Sequence, residues 1–115
     1  MIAVIFEVRP SAEGKGRYLD IAADLRAELE RVDGFISVER FQSLTDPDKM
    51  LSLSFFRDEA AVAAWRNLPS HRAAQAAGRG GLFAGYRLRV ASVLRDYGLA
   101  EREQAPDDSR ARHGA

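Results

Sequence analysis

The sequence predicts an α+β fold of order β-α-β-β-α-β, in which a four-stranded antiparallel sheet carries its helices on one face. Three observations predict it. Four stretches alternate in polarity or concentrate β-branched and aromatic residues. One long segment repeats apolar residues at helical spacing. An alanine-rich, proline-broken segment separates the third strand from the fourth. Split β-α-β units in this order close into a ferredoxin-like plait.

The first strand alternates: Ile2, Val4, Phe6 and Val8 point one way, Ala3, Ile5, Glu7 and Arg9 the other, and Pro10 ends it. After a loop over 11–16 with two glycines, Tyr18, Ile21, Ala22, Leu25, Leu29 and Val32 recur at helical spacing, which predicts a helix over about 16–32. Gly34 stands where a left-handed C-terminal cap is wanted. Strands are expected over 35–44 and 50–57, joined by the tight turn Thr45-Asp46-Pro47-Asp48-Lys49. In the second of these, Leu51, Leu53 and Phe55 share a face, and Ser52 and Ser54 lie on the other between Met50 and Phe56.

Asp58 is a suitable N-cap for a second helix carried by Ala60 to Trp65. Pro69 interrupts that helix because it lacks the amide donor, and Ser70 can recap a further piece over 71–77. Gly78-Arg79-Gly80-Gly81 is a connector, since it neither follows a strand nor ends in the Lys-Ser/Thr of a phosphate loop. A last strand is expected over 86–96, with Tyr86, Leu88 and Val90 opposed to Arg87, Arg89 and Ala91. Residues 99–115 hold seven charged side chains and no aromatic or β-branched residue, so a disordered tail is expected after a domain spanning 1–98.

At 115 residues the chain is one domain with a single small core. Seventeen basic residues balance seventeen acidic ones, and the balance holds without the tail, which argues against an electrostatic grip on nucleic acid or anionic membrane. The lack of cysteine excludes a disulfide framework, a thiolate nucleophile and cysteine-held zinc or iron–sulfur. With only two histidines, no metal site built from protein ligands is expected. No apolar run is long enough to span a bilayer and the N-terminus does not read as a signal peptide, so a cytoplasmic protein is expected. Several strands are apolar on both faces, and one helical layer covers only one of them; a second copy of the chain, in a homodimer, is the simplest cover for the other.

The opening strand I-A-V-I-F-E-V, the G-F-I-S-V-E-R-F segment, the T-D-P-D-K turn, the L-S-F-F-R-D-E-A-A-V-A-A-W run and the S-H-R-A-A-Q piece, taken in order, resemble the antibiotic biosynthesis monooxygenase family over residues 1 to about 98. The resemblance implies a dimeric α+β barrel, two sheets stacked face to face, with a pocket in each subunit between sheet and helices.

His71 has the side chain best suited to proton transfer near neutrality and follows a proline-broken helix; the alternative is a structural histidine bonded to a backbone carbonyl. Trp65, the one tryptophan, either walls a pocket or fills the gap between helix and sheet. Glu7, with apolar neighbours on its face, would have a raised pKa if buried. Arg9, Glu39, Arg40, Arg87 and Arg89 read as solvated strand charges, or as charges that pair across a sheet or steady a phenolate.

One branch of the resembled family oxidises phenols to quinones with molecular oxygen and neither metal nor flavin. The resemblance therefore implies a cofactor-independent monooxygenase of a small aromatic substrate, with His71 assisting deprotonation and Trp65, Phe6, Phe55, Phe83 and Tyr86 as lining. A haem-degrading branch uses an Asn on the first strand, a Trp on the second helix and a His about ten residues later. Trp65 matches, but Gln75 stands at the histidine position and the first strand has no Asn. The remaining alternative is a non-catalytic dimeric module that binds a small ligand.

Overall fold

The strands fall where alternation or a β-branched and aromatic composition predicts them, and through the fourth strand the elements follow the expected order. The computed structural model describes residues 1–12, 14–77, 81 and 83–113. Strands β1 (Ile2–Pro10), β2 (Phe35–Gln42), β3 (Met50–Phe56) and β4 (Phe83–Ser92) form one antiparallel sheet in the order β2-β3-β1-β4. Helix α1 (Lys15–Leu29) joins β1 to β2, while α2 (Glu59–Arg66) and α3 (Pro69–Ala77) lie between β3 and β4. This is the ferredoxin-like α+β plait.

Register fixes the two faces of the sheet. Val4 pairs with Ser54 and Val90, and Phe6 with Ser52 and Leu88. Arg40 pairs with Ser52 on the far side of β3. These residues share the face that packs on the helices, because Val4, Phe56 and Val38 join Leu29, Ala61 and Val62 in the larger apolar cluster. A smaller cluster of Val8, Tyr18 and Met50 gathers Phe6, Ile21 and Phe83. The opposite face carries Ala3, Ile5, Leu51, Leu53 and Phe55 with Glu7, Glu39, Arg87 and Arg89 around them, and none of these belongs to the clusters formed with the helices among the described residues.

Local chemistry places the connections. The Asp58 carboxylate accepts the Ala61 N–H at 2.9 Å and caps α2 as expected. The 43–49 turn is held by the Asp46 N–H donating to Ser43 Oγ (3.1 Å) and the Asp48 N–H to Asp46 Oδ1 (3.0 Å). Gly34 does adopt the left-handed region, at φ 90°.

Several boundaries differ from expectation, among them the start of β4 at Phe83 instead of Tyr86 and the end of β2 at Gln42 instead of Leu44. Helix α1 stops at Leu29; tighter i→i+3 bonds from Arg31 N–H to Glu28 O and Val32 N–H to Leu29 O then carry the chain to Gly34. Pro69 opens α3 instead of only ending α2, since its missing donor costs nothing at a first helical position; the side chain of Ser70, expected as the cap, lies outside the described residues, as do Gly78, Arg79 and Gly80 of the connector. Strand β4 ends at Ser92, not Asp96, because its partner β1 begins at Ile2 and offers no further ladder. Finally, the stretch expected to be disordered from residue 99 carries a short helix, α4 (Asp107–His113). Asp107 and Asp108 in its first turn and Arg110, Arg112 and His113 in its last complement the helix dipole, and Arg102 ties the preceding turn to Gly98 O (3.2 Å) and Ser109 Oγ (2.6 Å).

Candidate active site

The two apolar clusters leave a cavity of about 260 Å³ between sheet and helices. Its floor is the helix-facing side of the sheet, and its roof comes from α1, α2 and α3. Tyr86, Leu88 and Val90 of the edge strand β4 line it and remain 52%, 51% and 49% exposed, so the cavity opens along that edge.

Aromatic rings make its walls. Phe6, Phe83 and Tyr86 meet with centroids 5.7–6.1 Å apart, and Tyr18 stands edge-on to Phe83 at 5.4 Å. On the other side Trp65 packs on Phe56 at 5.6 Å and on His71 at 4.0 Å. The structure thus brings Phe6, Trp65, His71, Phe83 and Tyr86 to one cavity.

Two expected site residues lie elsewhere. Phe55 pairs with Ala3 on the opposite face of the sheet, one residue out of phase with the floor residue Ser54 and the core residue Phe56. Glu7 is on that face too, where it meets Lys49 Nζ at 3.5 Å and Arg89 Nη1 at 3.4 Å. The expected upward pKa shift is corrected: partial burial does push the Glu7 carboxyl up, but the Lys49 and Arg89 cations outweigh it and hold the group below the ordinary carboxylate value.

His71 makes the backbone-carbonyl bond of its structural reading while standing on the cavity wall. Its Nδ1 is 3.2 Å from the backbone oxygen of Arg66, five residues earlier in the α2–α3 corner. A carbonyl only accepts, so Nδ1 carries the hydrogen and donates it, and Nε2 is left as the proton acceptor. Burial pushes the His71 pKa below its usual 6.5; the carbonyl bond opposes this, and the Arg72 and Arg66 cations add to it. The ring is therefore neutral at pH 7 and able to take up a proton.

The polar part of the lining contains a group that sequence reasoning set aside. Arg40 lines the cavity beside Ser52 and Ser54. Its two-residue offset from the buried Val38 placed it on the helix-facing side, and that alternation was the signal available. Among the described residues, no three His, Asp or Glu side chains converge as a metal cage, and no helix is long and apolar enough to cross a membrane.

Comparison with known proteins agrees with this architecture. The antibiotic biosynthesis monooxygenase family profile matches residues 1–77. A protein of the fungus Pyricularia oryzae, named jasmonate monooxygenase ABM, is 48% identical over 93 residues, which is 81% of this chain and 43% of the relative. The chain thus spans less than half the length of that relative. Among solved structures, a Deinococcus radiodurans protein described as a candidate antibiotic biosynthesis monooxygenase superposes with a TM-score of 0.76 at 14% identity, covering 85% of this chain and 97% of that one. A Mycobacterium tuberculosis protein gives 0.75 at 16% identity, covering 84% and 98%. At those identities the superpositions establish the fold alone. The profile match and the fungal relative together establish that the chain belongs to the antibiotic biosynthesis monooxygenase family.

Proposed function

We propose that this protein is a monooxygenase that takes a small, ring-bearing organic molecule into the aromatic cavity and oxidises it with molecular oxygen, without a bound cofactor, as a homodimer. The observation that carries this reading is His71: a neutral imidazole with Nδ1 tied to the Arg66 carbonyl, on the wall of a largely apolar cavity. A phenol that loses its proton to Nε2 becomes an electron-rich anion able to pass an electron to oxygen. One oxygen atom then enters the ring to give a quinone and the other leaves as water. The substrate supplies all the electrons, so no external reductant is required. Excluding bulk water strengthens the electrostatic interactions that steady the anion.

The name of the fungal relative supports a monooxygenase reading. The dimer is supported by the row of apolar β3 side chains, Leu51, Leu53 and Phe55, on the sheet face opposite the core clusters, and by the dimeric barrel that the family resemblance implies.

Oxygen uptake tests the enzyme reading. With 1,4-naphthohydroquinone, wild-type protein is expected to consume oxygen well above the uncatalysed rate, and His71→Ala to lose about 100-fold. Wild-type uptake no faster than buffer with this probe and a panel of phenols, or an unchanged rate in the variant, overturns it.

A further inference from the structure

The floor of the cavity changes character across the sheet. Register aligns one row from edge to edge: Leu88 of β4, Phe6 of β1, Ser52 of β3 and Arg40 of β2. The next row runs Val90, Val4, Ser54 and Val38. The β4 and β1 end is wholly apolar in these two rows, while the β3 and β2 end supplies two hydroxyls and a guanidinium. All three polar side chains line the cavity.

Arg40 and Arg87 are the strand cations without an ion pair among the described residues, and of the two Arg87 is exposed to solvent while Arg40 is partly buried. Arg9 pairs with Asp46, and Arg89 and Lys49 pair with Glu7. Among the described residues Arg40 makes no ion pair or side-chain hydrogen bond, and its Nε is buried without a partner. A buried guanidinium donor with nothing to donate to costs the full desolvation of that group. The neighbouring acid in sequence, Glu39, faces the other way, opposite Leu53. The hydroxyls of Ser52 and Ser54 are also without side-chain partners among the described residues. A planar fork of N–H groups beside two hydroxyls has the donor set of a carboxylate site.

We infer that Arg40, with Ser52 and Ser54, is an anion site that binds the carboxylate of an amphiphilic acid whose ring system lies over Phe6 and Leu88. This rests on reading the cavity as the substrate pocket and adds the class of substrate: a phenol that also carries a carboxylate, whose phenolic end keeps the proton and the electrons that the proposed oxidation draws on. Adjacent strands are about 4.8 Å apart, so the centre of the ring lies roughly 10 Å from the anchoring guanidinium. Anchoring the carboxylate there fixes which end of the molecule reaches His71 and Trp65 in the roof. Arg66 also lines the cavity but is exposed to solvent, so its charge is already hydrated. Arg40 is the cation that an incoming carboxylate would relieve.

The test uses the one tryptophan as reporter. Quenching of Trp65 fluorescence at pH 7 is followed with 4-cyclohexylbutanoate and with 4-cyclohexylbutan-1-ol, which share a carbon skeleton and are transparent to the excitation. Wild-type protein is expected to bind the acid at least about tenfold more tightly than the alcohol. Arg40→Gln is expected to lose that preference while keeping its affinity for the alcohol, which also reports that the variant has folded; Arg40→Lys is expected to keep part of it. Equal wild-type affinities, or an unchanged preference in Arg40→Gln, overturn the anion site and leave the pocket intact. Binding of neither probe overturns both. A preference for the acid that depends on Arg40, in a protein that consumes no oxygen with any substrate, supports the anion site and removes the enzyme.

Discussion

The imidazole of His71 lies against the indole of Trp65, with ring centroids 4.0 Å apart and planes inclined by 44°. The contact joins the two helical pieces on either side of Pro69 and explains why the histidine is only partly exposed. It also gives the histidine a pH signature. Burial lowers its folded pKa below the unfolded value of 6.5, so the unfolded chain takes up the proton more readily. The contribution of a neutral His71 to stability is complete above pH 6.5 and is lost as pH falls through 6.5 towards the folded value. Replacing it with Gln removes that dependence. The stability of wild type relative to His71→Gln is expected to fall between pH 7.5 and pH 5, measured by urea unfolding; parallel behaviour of the two proteins would count against a depressed pKa.

Trp65 also packs on Phe56, which is fully buried at the centre of the larger core cluster. Its pocket-lining and structural roles therefore coincide. Trp65→Ala is expected to cost about 2–3 kcal/mol in denaturant unfolding, below the range for a fully buried tryptophan because one side of the ring faces the cavity. Trp65→Phe, which retains a ring on Phe56, is expected to cost less than half as much. A Trp65→Ala variant as stable as wild type would show that the ring carries no part of the core.

Gly34 turns the chain from α1 into β2 at φ 90°, and a Cβ placed there would meet Ala61 Cβ at 2.8 Å and the Arg57 guanidinium at 3.3 Å. The Arg57 end can swing into solvent, but Ala61 is buried in α2 and cannot move away. Backbone strain and overlap act in the same direction. Gly34→Ala is expected to destabilise by about 2–3 kcal/mol. A loss below 0.5 kcal/mol, roughly the level of a neutral surface substitution, would contradict the tight approach of the turn to α2.

What could be read in the sequence was whatever is decided locally. Alternation or a β-branched and aromatic composition found all four strands, and side-chain chemistry found the Asp58 cap and the Gly34 turn. Boundaries that depend on a distant partner were not legible: β4 ends where β1 begins, about ninety residues earlier in the chain. Phe55 shows a second limit. Alternation separates Leu51, Leu53 and Phe55 from Ser52 and Ser54, but it does not say which set faces the helices. The structure turns the serine face inward, because Met50 and Phe56 at its ends enter the two core clusters and the hydroxyls floor a cavity. Arg40 was set aside because a strand arginine is usually solvated, and only the packing around it reveals a donor with no partner.

On β3 the more apolar set of side chains is therefore the one turned away from the helices. Leu53 stands near its middle, opposite Ile5 on β1 and Glu39 on β2, with Leu51 and Phe55 two residues to either side. If this surface stacks on its counterpart in a second copy, a carboxylate at position 53 is carried in among Ile5, Leu51 and Phe55, beside Glu39 and with Arg89 of its own row already engaged by Glu7. In a monomer Leu53 is half-buried, so the same substitution keeps its carboxylate within reach of water and costs less. Sedimentation at micromolar concentration is expected to show a dimer for wild type and a monomer of unchanged helix content for Leu53→Glu. Because the cavity and His71 lie on the other side of the sheet, loss of turnover in that folded monomer would show that the cavity depends on the second copy for its shape. A Leu53→Glu protein that remains dimeric would place the contact between copies on another surface.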